Sequence, residues 1–169
     1  VVDPLLALLL FGLIWAPRVV ALDAFVTIDE PVWLAHAMTF AYGLVQHNWA
    51  LTFRLEHPGV TTMWLAVVGL VTNLPDYAQR VWAAPETYRQ PFEQWLSTQT
   101  TLTPLTLLSA ARWWVTLAVA FTLAVTYFPL RRLLGRWVAV IALVFMAWSP
   151  MAVAFSRQLQ PDGLLAALT

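Results

Sequence analysis

The sequence predicts an all-α protein, a polytopic membrane helical bundle with juxtamembrane helices in a long first outer loop. Hydrophobic residues make up 60% of the 169 residues, charged residues make up 11%, and the mean hydropathy is +0.70. A soluble domain is roughly 45–50% apolar and about 25% charged. The apolar residues gather in long stretches, and a membrane-spanning helix needs about twenty of them. The ten tryptophans and four tyrosines suit belts at the two membrane–water interfaces.

Composition also excludes several classes. The formal net charge is zero, so nothing indicates a nucleic-acid partner. Cysteine is absent, which excludes disulfides and thiolate metal sites. The chain starts at a valine and stops inside an apolar stretch, which predicts the N-terminal part of a longer polytopic protein whose first span is an uncleaved signal anchor.

Apolar stretches and the segments between them give the predicted organisation. In chain order these are a span at 5–22, an outer loop at 23–104 with interfacial helices at 31–46 and 58–74, a span at 105–129, an inner link at 130–136, a span at 137–155, an outer turn at 156–162 and the start of the next span at 163–169. Pro17 and Arg18 are expected to break the first span, and Pro150 is expected to kink the third.

Charge placement predicts the topology. Arg131, Arg132 and Arg136 cluster in the link at 130–136, and short arginine-rich loops stay in the cytoplasm. With a cytoplasmic N-terminus, an even number of crossings must precede that link. The stretch 58–74 therefore lies at the surface instead of crossing, and the loop at 23–104 lies outside with the turn at 156–162.

The first element of the outer loop is predicted to be an amphipathic helix lying in the interface. Pro31 suits the first helical position. The apolar residues recur at helical spacing, namely Leu34, Ala37, Met38, Ala41, Tyr42 and Val45.

Asp29 and Glu30 precede this helix as adjacent carboxylates, and the sequence allows two interpretations of the pair. One is a plain N-cap, because the helix dipole favours a carboxylate there. The other is a general base that takes a proton from an acceptor hydroxyl, while the neighbouring carboxylate turns toward a metal or a basic partner.

Further candidates lie at two other outer segments. His57 could donate to a phosphate, or ligate a divalent metal together with Glu56, although the two make only half a zinc site. Such a metal is the one cofactor that the sequence indicates. Arg157 suits a phosphate or a snorkelling position at the head groups, and Asp162 suits a site or a helix cap.

The segments Thr27–Pro31 and His57–Trp64, the arginine-rich link and the turn from Ser156 to Gly163 resemble the GT-C glycosyltransferases. The similarity is to the protein O-mannosyltransferase and aminoarabinose transferase group and its bacterial family-39-like cousins. The mannosyltransferases usually carry His-Pro-Pro, and Gly59 replaces the second proline here.

The resemblance implies an enzyme that moves a sugar from a polyprenyl-phosphate carrier to a hydroxyl acceptor (lipid, glycan or protein) with inversion, outside the plasma membrane. It implies Asp29 as the base, Glu30 beside it in the acceptor site, and His57 near the sugar or lipid phosphate. Arg157 and Asp162 match the outer loop that closes the site. A transporter or flippase of lipid-linked sugars and a non-catalytic membrane scaffold are the alternatives.

Overall fold

The computed structural model describes residues 2–53, 59–73 and 103–169. These residues form helices without a strand among them, which confirms the all-α class. The helices are α1 Val2–Val19, α2 Glu30–Val45, α3 Val60–Asn73, α4 Pro104–Val125, α5 Tyr127–Leu134, α6 Arg136–Trp148, α7 Pro150–Ser156 and α8 Pro161–Leu168, with a short 3₁₀ helix at Trp49–Thr52.

The chain divides into two compact units. Unit 1 comprises Val1–Leu22, Val115–Gln158 and Asp162–Thr169, and unit 2 comprises Asp23–Trp114 and Leu159–Pro161.

Two described helices are long and apolar enough to cross a membrane, Val2–Val19 and Leu105–Leu134. Helices α6 and α7 are bent by 67° relative to each other. They give a third crossing if the two together form one broken span. The bend falls at Ser149 and Pro150, where the sequence predicted a kink. Helix α3 has 14 residues. It is therefore about 21 Å long, short of the roughly 30 Å hydrocarbon core.

The segment predicted as an inner link, 130–136, is mostly helical. Helix α5 continues to Leu134, and the turn is Gly135, whose φ is 89°. Leucine and arginine are good helix formers, and Pro129 lies in the first turn of α5, where its missing N–H costs little.

A cluster of charged side chains connects the start of α1 with the turn at Gly135. The Asp3 carboxylate lies 2.6 Å from Nη1 of Arg131 and 3.3 Å from Nη2 of Arg136, and it accepts a hydrogen bond from the Tyr127 hydroxyl at 2.9 Å. The start of α1 is thereby tied to α5 and to the start of α6.

The break expected at Pro17 and Arg18 is wrong. Helix α1 runs through Pro17 to Val19. The proline lies in the last turn, so it removes few hydrogen bonds, and Arg18 Nη1 donates back to the Ile14 carbonyl at 2.6 Å.

In unit 2, α2 packs against the 3₁₀ helix and α3. The prediction of a single apolar face on α2 included too few residues. Trp33, Phe40 and Gly43 are buried as well as Leu34 and Met38. The cause is that α2 has protein neighbours on more than one side: Phe40 meets Trp64 of α3 edge-on at 5.1 Å, and a Cβ on Gly43 would lie 2.9 Å from Leu51 Cβ.

Candidate functional site

The two adjacent carboxylates at the start of α2 have different surroundings. Asp29 occupies the N-cap position, yet its side chain makes no capping hydrogen bond. Its main-chain carbonyl accepts the N–H groups of Val32 at 3.0 Å and Trp33 at 3.1 Å. The Asp29 side chain is exposed and has no hydrogen-bond or ion-pair partner within the described part of the chain. It is therefore open to a proton donor from outside the protein.

Glu30 is completely buried and fully engaged. Arg112 of α4 donates to it twice, from Nε to Oε1 at 2.6 Å and from Nη2 to Oε2 at 2.5 Å. The N–H of Leu159 donates to Oε1 at 2.7 Å, and Thr27 donates to Oε2 from its N–H at 2.8 Å and its hydroxyl at 3.0 Å. Five donors leave little room for an acceptor hydroxyl at this carboxylate.

The balance of forces keeps Glu30 ionised. Burial raises the pKa of its carboxyl, but the hydrogen bonds from Arg112, Leu159 and Thr27 and the charge of Arg112 outweigh that effect. The pKa of Glu30 consequently lies below its usual value. Arg112 also donates to the Phe25 carbonyl. It therefore fixes the segment that precedes α2 as well as the helix itself.

Sequence reasoning assigned no role to Arg112, which is only 4% exposed. The available signal was a lone cation within an apolar stretch, since such residues face the protein interior and pair there. The sequence could not identify Glu30 as its partner, because 82 residues separate the two.

Arg157 and Asp162 belong to unit 1. Arg157 Nη2 donates to the carbonyl of Val20, and to that of Ala21 at 2.7 Å, so its guanidinium is partly engaged at the end of α1. Asp162 is exposed in the first turn of α8. It lines a cavity of about 380 Å³ together with Ser149 and Ser156.

Arg18, for which no function was predicted, also lines this cavity. It is completely buried. Its four hydrogen bonds go to neutral oxygens: Nε donates to Ser156 Oγ at 2.8 Å, Nη2 to the Met146 carbonyl at 3.1 Å, and Nη1 to the Ala147 carbonyl at 3.3 Å and to its own helix at Ile14. Arg18 thus binds the end of α6 and the end of α7 to α1.

The segment with Glu56 and His57 lies outside the described residues, so its predicted phosphate and metal roles stay predictions. Within residues 2–53, 59–73 and 103–169, no three His, Cys, Asp or Glu side chains come together as metal ligands.

The long apolar helices define an integral membrane protein. Residues 90–169 match the family model described as dolichyl-phosphate-mannose-protein mannosyltransferase. This match confirms the predicted resemblance to the GT-C glycosyltransferases over that part of the chain and supports a membrane glycosyltransferase of the mannosyltransferase type. It covers Arg112, Arg157 and Asp162 and does not extend to Asp29 or His57. Neither the curated proteins nor the solved structures gave a match.

Proposed function

We propose that the protein transfers a sugar from a polyprenyl-phosphate carrier to a hydroxyl acceptor on the extracytoplasmic side of the plasma membrane, with inversion. The acceptor oxygen attacks the anomeric carbon while the bond from that carbon to the phosphate oxygen breaks. The hydroxyl proton passes to Asp29, and the carrier leaves as its phosphate monoester. The matched family supports the donor class, since its description contains a dolichyl-phosphate sugar.

The observation that carries the proposal is the contrast between the two carboxylates. Glu30 is buried and held by five donors, whereas the neighbouring Asp29 carboxylate is exposed. A general base must reach the proton that it takes, and of these two carboxylates it is Asp29 that satisfies that geometry. Glu30 then acts as an anchor that fixes the start of α2 in the acceptor site.

The remaining site residues serve the leaving group. Negative charge accumulates on the lipid phosphate as the bond breaks, and preorganised donors stabilise it. Within the described part of the chain, Arg157 donates hydrogen bonds from Nη2, and its Nε and Nη1 can donate to phosphate oxygens. We assign His57 to the same role, and we assign Asp162, which lines the cavity, to the sugar hydroxyls. A divalent metal at Glu56 and His57 remains part of the proposal.

The test is Asp29→Asn, which keeps the shape of the side chain and removes its basicity. Transfer of a labelled sugar from a polyprenyl-phosphate donor in proteoliposomes should fall by about 100-fold or more, in the range of general-base contributions, while membrane insertion stays unchanged. The matched control is Asp23→Asn, since Asp23 is another exposed carboxylate before α2.

Transfer by Asp29→Asn close to that of Asp23→Asn would overturn the base assignment. Movement of the labelled lipid across the bilayer without a new glycosidic bond would favour the flippase. If the protein neither transferred the sugar nor moved the lipid, the non-catalytic scaffold would be favoured.

A further inference from the structure

Three arginines and one carboxylate meet at one end of unit 1. Asp3 lies 2.6 Å from Nη1 of Arg131 and 3.3 Å from Nη2 of Arg136. Arg132 follows Arg131 directly, is exposed, and has no hydrogen bond or ion pair within the described part of the chain. We call these four residues the arginine cluster. Its single carboxylate offsets one of three guanidinium charges, so two positive charges are in excess.

Unit 1 itself does not neutralise this excess. The other acidic side chain in the sequence of unit 1 is Asp162. Asp162 lines the cavity with Ser149, at the far end of α6 and about 20 Å along that helix from Arg136. Exposed charges that far apart are screened by salt, since the Debye length is about 8 Å. The excess positive charge therefore attracts an anion from outside unit 1.

The two paired arginines are held side by side with donors to spare. Their side chains remain 39% and 41% exposed although both contact Asp3. Each guanidinium has five N–H donors, so one carboxylate leaves several of them facing solvent. Asp3 is itself fixed by the hydroxyl of Tyr127, a completely buried residue that donates to it at 2.9 Å. The carboxylate thus aligns two guanidinium groups for one further anion.

The position of the cluster indicates where that anion comes from. Helix α1 begins at Val2, and the long apolar helix Leu105–Leu134 ends at the turn before Arg136. The ends of membrane-spanning helices lie at the level of the lipid head groups. Lipid phosphates are the anions concentrated at that level.

Exposed apolar side chains surround the turn at Gly135. Leu133 is 79% exposed and Trp137 is 74% exposed. The turn itself is open, because a Cβ added to Gly135 would have no atom within 4 Å. A free phosphate ion gains nothing from such neighbours, whereas a lipid brings acyl chains beside its phosphate. Basic residues flanked by leucine and tryptophan are typical of elements that bind anionic bilayers.

We propose that the arginine cluster and the turn at Gly135 form a binding site for an anionic membrane phospholipid. The lipid phosphate binds Arg132 together with the exposed faces of the two paired arginines, and the acyl chains lie against Leu133 and Trp137. The lipid then links the start of α1, the end of α5 and the start of α6. This site is independent of the proposed sugar transfer.

The experiment titrates the full chain in detergent with phosphatidylglycerol or phosphatidylcholine of the same acyl chains, and native mass spectrometry gives the Kd of each lipid. One basic residue near an anionic bilayer surface contributes about fivefold. Two excess charges should therefore make phosphatidylglycerol bind about 25-fold more tightly than phosphatidylcholine. Arg132→Gln should weaken phosphatidylglycerol binding by about fivefold and leave phosphatidylcholine binding unchanged.

Asp3→Asn distinguishes an aligned site from diffuse attraction to a basic surface. The substitution raises the net charge by one, so diffuse attraction would tighten phosphatidylglycerol binding by about fivefold. In the aligned site, binding should weaken by about threefold or more, because ordering two long side chains anew costs more than one charge contributes. The matched control is Asp23→Asn, which makes the same change of charge at an exposed carboxylate of unit 2 and should leave the Kd unchanged.

Several results would overturn the proposal: equal affinity for the two lipids, an unchanged Kd in Arg132→Gln, or tighter binding by Asp3→Asn. Displacement of the lipid by excess inorganic phosphate would also overturn it and assign the cluster to a free anion. If Asp3→Asn does not fold, Tyr127→Phe replaces it, since this variant keeps the charge and removes the hydrogen bond that fixes Asp3. Weaker phosphatidylglycerol binding by Tyr127→Phe supports the aligned site, and an unchanged Kd contradicts it.

Discussion

Two neighbouring residues of the same charge behave differently because their side chains leave the chain in different directions. Glu30 turns inward to Arg112, where each carboxylate oxygen meets at least two donors. Asp29 turns to solvent and keeps its lone pairs free. A buried ion pair stabilises a fold only when hydrogen bonds satisfy both partners, because desolvation is costly. Its main consequence here is a fixed start for α2.

The ion pair predicts a measurable loss when one partner is changed. Glu30→Gln leaves Arg112 buried opposite a neutral amide and should lower the free energy of unfolding by about 3–5 kcal/mol, the cost of breaking such a pair. Denaturant unfolding in detergent checks it, with Asp23→Asn as the control. A loss below about 1 kcal/mol would show that the pair contributes little.

The same carboxyl predicts a dependence on pH. The pKa of Glu30 is lowered in the folded protein. Its contribution to stability is therefore fully present above the unfolded pKa of about 4.3, and it is lost as the pH falls through the lower folded value. The wild type should lose stability in this acid window, and Glu30→Gln should show a flatter curve. Parallel curves for the two would contradict the assignment.

At the scale of elements, the buried Arg18 explains how the break between α6 and α7 is tolerated. Pro150 has no N–H for the carbonyl of Met146, and the extended backbone of Ser149 turns the chain there. Arg18 donates to the carbonyls of Met146 and Ala147. A cation at a helix C-terminus also meets the negative end of its dipole, so this arginine needs no carboxylate.

Arg18→Met should lower the free energy of unfolding by roughly 2–4 kcal/mol, since each orphaned buried carbonyl costs about 1–3 kcal/mol. In a Pro150→Ala background the loss should be smaller, because residue 150 then supplies an N–H for Met146. Thermal denaturation of the four variants measures the coupling. Equal losses in both backgrounds would show that Arg18 does not serve the break.

The sequence predicted most elements and fewer of their contacts. Apolar runs and Pro150 indicated the helices and the bend, because hydrophobic length and a missing N–H are local properties. The contacts of Glu30 with Arg112 and of Arg18 with Ser156 could not be predicted, since 82 and 138 residues separate the partners in the chain. Asp29 was identified as a candidate, but the sequence could not show that Asp29 is exposed while Glu30 is buried.

At the scale of the whole molecule, the crossing count decides which segments share a side of the membrane. Helix α1 and the helix Leu105–Leu134 are long enough to cross, and α3, at 14 residues, is too short to cross alone. If these two helices are the crossings that precede Arg132, as we propose, the arginines lie on the same side as the N-terminus. Positive charge favours the cytoplasmic side for that end. On this proposed topology, the segment that carries Asp29 is extracytoplasmic.

The topology is testable with single cysteines, because the chain has none of its own. Gln46→Cys, exposed after α2, should react with a membrane-impermeant maleimide in right-side-out vesicles. Arg132→Cys, exposed near the end of α5, should react in inverted vesicles instead. An odd number of crossings between the two positions requires opposite labelling. If both cysteines reacted from the same side, a further crossing would lie between them, and the extracytoplasmic position of Asp29 would fail while its exposure beside the buried Glu30 would stand.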